Sequence, residues 1–111
     1  MVKIDVAYEQ HFRELVNYGY HVVVECLETP VQRAGVFHGV WSIRAISADG
    51  QTEKVLVAAR KGPEGPRPRH YKTLAGFVAF LVDLGFEVVS APMVEGGRVH
   101  LNMANHGPKR R

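Results

Sequence analysis

The sequence predicts an α+β fold in two layers, a mainly antiparallel five-stranded sheet with two helices on one face, in the order α-β-β-β-α-β-β. Three observations carry this. Two segments repeat apolar residues at helical spacing and run into Gly19 and Gly85. Between and after them lie stretches rich in β-branched residues that alternate in polarity. An Asp49-Gly50 pair between two of those stretches is a hairpin signal, which favours antiparallel neighbours.

Asp5 is placed to cap the first helix, in which Tyr8, Phe12, Leu15 and Val16 fall on one face and Gly19 provides a left-handed stop. Tyr20 to Glu28 reads as the first strand, with Tyr20, Val22, Val24 and Cys26 on one side. Thr29 to His38 reads as a loop punctuated by Pro30 and Gly35. The second strand runs from Gly39 to Ser47, with Trp41, Ile43 and Ala45 inward and Ser42 and Arg44 outward. The third spans Glu53 to Arg60. Thr73 can cap a second helix, Leu74 to Leu84, whose apolar residues cover most of its circumference, so it is buried on several sides or meets a partner. Phe86 to Ala91 reads as a fourth strand, and after the Glu95-Gly96-Gly97 turn Val99, Leu101 and Met103 form the inward side of a fifth.

The stretch Leu15 to Val23 matches Leu81 to Val89, with Leu, Val, Gly, Val and Val identical. Two similar helix–glycine–strand corners are therefore expected, because glycine suits the left-handed cap in both places. The length suits one domain, 1–106, followed by a short basic tail, 107–111. The lone Cys26 precludes a disulfide within the chain, and on strand spacing it is an inert buried thiol. No basic segment followed by an apolar run opens the chain, so a cytoplasmic location is expected and no membrane partner.

Charge is unevenly distributed. Arg60 to Lys72 holds five basic residues against Glu64, while residues 1–59 carry five basic and seven acidic side chains and residues 73–111 four and three. The net charge of +3 therefore rests on one segment. Its prolines and glycines are expected to keep it out of helix and sheet, with Pro66 and Pro68 stiffening the backbone and holding Arg67 and Arg69 clear of the body. It leads into the start of the second helix, where unpaired N–H groups favour an anion. Arg60, Lys61, Arg67, Arg69 and Lys72 can grip phosphates, while His70 and Tyr71 can stack on a base. Arg44 and the tail residues Lys109, Arg110 and Arg111 would extend the contact.

The six histidines and Cys26 show no metal-ligand spacing, and the serines lack a glycine-flanked elbow, so neither metal nor cofactor nor enzymatic activity is expected. The expected function is low-specificity binding of DNA or RNA through the basic segment, with a salt slope of roughly −4 to −5 if five phosphates are met. The alternative is a protein-docking or regulatory module, acting as a homodimer or on another partner through an exposed sheet face or the apolar second helix. The first five expected elements, α-β-β-β-α, resemble in order the double-stranded-RNA-binding domain, with its basic segment before the second helix. That family's Lys-Lys-x-Ala-Lys entry is replaced here by Arg69-His70-Tyr71-Lys72-Thr73, and an extra hairpin follows, so the resemblance transfers no residue roles.

Overall fold

A computed structural model describes residues 3–58, 65 and 67–101. The long apolar alternations become β2 (His21–Arg33) and β3 (Val36–Ile46), a hairpin closed by Ala34-Gly35. Both turn residues have positive φ, 52° and 80°, which matches the right-handed twist of the flanking strands. The expected loop from Thr29 to His38 is therefore mostly ladder. Pro30 is accommodated because pairing is interrupted between Glu28 and Val31, where no N–H is required of it. An alanine at a left-handed turn position hid this hairpin, since asparagine or glycine is the usual signal.

β4 (Thr52–Leu56) returns beside β3 through the expected Asp-Gly turn. The Asp49 carboxylate accepts from the Ser47 hydroxyl (2.6 Å) and the Gln51 N–H (2.9 Å). These hydrogen bonds hold its pKa below the ordinary carboxylate value, that to Ser47 contributing most.

Two strands were not expected. β1 (Lys3–Ala7) pairs parallel with β4, so the sheet has six strands and is mixed, rather than five mainly antiparallel ones. Asp5 lies inside β1 and is not the cap of α1, whose cap position is Tyr8; its carboxylate accepts from the Val6 N–H (2.8 Å) and from Lys54 (3.1 Å). Such a pairing joins residues about fifty apart and leaves no local pattern. The second, β5 (Tyr71–Thr73), pairs antiparallel with β3 at His38 and Trp41.

α1 (Glu9–Asn17) and α2 (Leu74–Leu84) pack on one face of the sheet. Phe12, Leu15 and Val16 from α1 and Phe77, Phe80 and Leu81 from α2 meet Val22, Val24, Cys26, Trp41, Ile43, Ala45 and Leu56. Trp41 is fully buried, stacks on Phe77 (5.5 Å between centroids) and donates its indole N–H to the Pro92 carbonyl (2.8 Å). Burial of each such large side chain contributes about 1.5–3 kcal/mol. The cap expected at Thr73 is present, its hydroxyl accepting from the Gly76 N–H at 3.1 Å.

The two glycine corners have the same cap. Gly19 (φ 111°) donates to Val16 and Tyr20 to Leu15; Gly85 (φ 116°) donates to Val82 and Phe86 to Leu81. This is the Schellman arrangement twice over. Only the first corner continues as a strand. Residues expected to form a strand from Phe86 to Ala91 instead run irregularly, with Phe86 buried and Pro92 bonded to Trp41. The ladder position beside β2 belongs to β6 (Arg98–Leu101), with Val24 opposite Val99 and Val22 opposite Leu101. The element order is thus β-α-β-β-β-β-α-β, and the sheet order is β1-β4-β3-β2-β6 with β5 beside β3. No described helix is long and apolar enough to cross a membrane.

Candidate nucleic-acid interface

From Arg67 onward the basic segment is paired backbone. Val57 and Pro68 form an antiparallel bridge: Ala58 donates to Arg67 (2.9 Å) and Arg69 to Leu56 (2.9 Å). Three residues later the chain joins β3 as β5. The part of the segment from Arg67 to Lys72 is therefore tied to the sheet, contrary to the expectation of a free loop. Arg60 and Lys61 lie outside the described residues, as do Lys109, Arg110 and Arg111 of the tail.

Alternation along 69–72 splits the candidate side chains between two faces. On the helix side, Tyr71 is 8% exposed, its ring 5.5 Å from that of Phe80. Burial pushes its phenol pKa up, and its hydroxyl has no hydrogen-bond partner among the described residues. Tyr71 is thus committed to the core and has no open ring face to offer a base. Arg69 lies over Tyr71 (5.0 Å to the ring centroid) and 3.9 Å from the Glu9 carboxylate. Beside it Arg13 reaches Glu9 (2.7 Å) and Asp83 (2.6 Å) and lies over Phe80. The groove here, about 580 Å³, is lined by Arg13 and Arg69 with Glu9 and Asp83, so its charges cancel. Its carboxylates, Glu9 first, raise the Arg13 pKa further.

The face away from the helices carries Arg44, Ser42, Val23, Glu25 and Glu53 in neighbouring ladder positions. Arg44 bonds Glu53 and lies 3.9 Å from Glu25. It faces outward, as expected, but between two carboxylates. Ser42 Oγ and Arg44 Nε are buried without hydrogen-bond partners among the described residues. His21 and His100 approach on the same face, their rings 5.3 Å apart. Burial first, and His100 second, hold the His21 pKa below its ordinary value.

A second groove, about 500 Å³, is lined by Lys72, Arg33, His38, Glu28, Thr29, Val31, Gly39 and Val40. It exists because β5 pairs with β3 at His38 and β2 pairs with β3 at the same residue. Gly39 permits the close approach: a Cβ there would lie 3.0 Å from the Glu28 carbonyl and from Pro30 Cβ. Arg33, Arg67 and Lys72 are exposed, and none makes an ion pair or a side-chain hydrogen bond among the described residues. His70 is exposed too. Arg33 was not a candidate from sequence. It lies 39 positions before Lys72, and only the pairing of both neighbours to β3 brings them to one groove.

Cys26 is fully buried; burial pushes its pKa up, and its thiol donates to the Glu28 carbonyl at 3.1 Å. Among the described residues no three His, Cys, Asp or Glu side chains gather as a metal-binding group. No protein-family model matches the chain, and neither a curated protein nor a solved structure matches it.

Proposed function

We propose that the protein binds nucleic acid through its phosphates, with low sequence specificity, and that the segment 60–72 is the principal grip. One observation carries the reading: Arg67 and Lys72 are exposed and without ion pairs among the described residues, on backbone tied to β4 and β3. A cation held on a paired strand loses less freedom on meeting a phosphate than one on a free loop. Arg60, Lys61 and the tail cations join the grip in this reading. Arg44 and Arg69, each beside a carboxylate, contribute less. With about four phosphates met, log affinity falls against log salt with a slope of roughly −3 to −4. Fluorescence anisotropy at two salt concentrations tests this. Arg67→Glu with Lys72→Glu should abolish most binding; a flat salt response, or undiminished binding by that variant, overturns the reading.

A second reading is docking to a protein partner or a second copy through α2 or the sheet face. Its support is Val82, an apolar side chain 56% exposed on a helix whose one charged residue is Asp83. Light scattering that finds only monomer at high concentration, with no partner retained on purification, counts against it.

A further inference from the structure

The aromatic residues decide which form of nucleic acid the basic face suits. All ten Phe, Trp and Tyr side chains fall within the described residues. Phe12, Trp41, Tyr71, Phe77, Phe80 and Phe86 are buried, and Tyr20 is packed against the core. Tyr8 and Tyr18 are exposed but belong to the two ends of α1, and neither lines the groove of Lys72. Phe37, half-buried, does not line it either. Binding of single strands draws heavily on stacking against exposed aromatic rings, roughly five- to a hundredfold in affinity per base. Beside Lys72 the groove offers Arg33, two valines and the half-buried His38 imidazole, a smaller stacking surface than a Phe, Tyr or Trp ring, with Glu28 as its one carboxylate. Of the two rings expected to stack, Tyr71 is buried and His70 is exposed but does not line the groove.

We infer that the ligand is a double-stranded nucleic acid, and that the groove lined by Arg33, His38 and Lys72 holds the phosphates of one of its strands. The inference rests on the reading proposed above and adds to it the form of the ligand and a residue, Arg33, outside the basic segment. Charge complementarity selects this groove. Its two full cations outnumber its carboxylate and stand unpaired among the described residues, whereas the helix-side groove is electrically balanced and Arg44 lies between Glu25 and Glu53. A duplex presents phosphates densely and continuously and needs no unstacked base to be received.

The test uses the full chain and fluorescein-labelled probes two helical turns long: duplex DNA, duplex RNA and the corresponding single strands. Anisotropy is measured at two salt concentrations, and circular dichroism checks folding. Duplex should bind about tenfold or more tighter than single strand. Arg33→Glu should weaken duplex binding several-fold and make the salt slope shallower by about one. Arg33→Gln, which removes the charge and keeps a polar side chain with part of the aliphatic stem, should show the same change in slope should the reversed charge disturb the hairpin. Equal or tighter binding of single strand overturns the inference while leaving nucleic-acid binding in place. Unchanged duplex binding by both Arg33 variants overturns the assignment of the groove. Failure to bind any of the four probes overturns the functional reading itself. The two duplex arms separate DNA from RNA.

Discussion

Arg44 and Lys72 lie on the same face of the sheet, on strands that both pair with or belong to β3, yet they occupy opposite electrostatic situations. Arg44 stands opposite Val55 on one side and Val23 on the other, which makes Glu53 and Glu25 its diagonal neighbours. Long side chains reach across such diagonals, and Arg44 meets both carboxylates. Lys72 pairs into the far half of β3, where the groove holds Arg33 with Glu28 and no ion pair is formed among the described residues. Composition counts the two cations alike. Strand register separates a cation that holds the sheet together from one available to a ligand.

The largest expected effect comes from breaking the Arg44 cluster. Arg44→Ala leaves the Glu53 side chain, 10% exposed, without its partner, and should cost about 1–3 kcal/mol in urea denaturation, a buried-pair loss reduced by the partial exposure of Arg44. Affinity per folded molecule should fall by less than it does for Lys72→Ala; an equal or larger fall at unchanged stability would erase the distinction from Lys72. Lys72→Ala should do the reverse, moving stability by no more than about 0.5 kcal/mol and making the duplex salt slope shallower by about 0.9. Glu53→Gln sharpens the contrast from the other side. Loss of this charge leaves Arg44 with Glu25 as its remaining carboxylate, so stability should drop by about 1 kcal/mol while duplex affinity rises modestly at low salt.

The smallest effect concerns His21 on the same face. Its pKa is depressed in the fold by burial and then by His100, so the folded state favours the neutral ring. The sign follows: stability is present above the ordinary value of about 6.5 and declines as pH falls through the lower folded-state value. Urea midpoints measured from about pH 7.5 to 5 should decrease, and His21→Gln should flatten part of that decrease. A midpoint slope identical in the variant would show that His21 is not a source of it.

Local patterns were read well where local chemistry decides the outcome. The cap at Thr73, the Asp49-Gly50 turn, the two left-handed glycines and the inward row Trp41, Ile43 and Ala45 each depend on a few adjacent residues. The second corner shows where this stops. Phe86-Glu87-Val88-Val89 resembles the Tyr20-His21-Val22-Val23 that follows Gly19, with both valines identical, and its cap is the same, yet no strand forms. The edge of β2 is occupied by β6, and further along Gly96 and Gly97 exchange backbone bonds with Cys26. β-branched residues make a strand only where a partner edge is free. The candidate site was half legible for the same reason. Charge clustering pointed to residues 60–72, but the burial of Tyr71, the pairing of Arg69 with Glu9 and the approach of Arg33 all follow from β5 joining β3.

By itself, then, the sequence determined that this is a mixed α and β protein, with two helices covering one side of a sheet and its excess charge in one segment. Helical spacing, caps and turns are short-range and can be read in order along the chain. Only the tertiary structure decided the parallel pairing of β1 with β4, the insertion of β5, and which cations meet a carboxylate. Those outcomes depend on which distant strands compete for the same edge, and the energy that settles the competition resides in contacts between residues far apart in sequence.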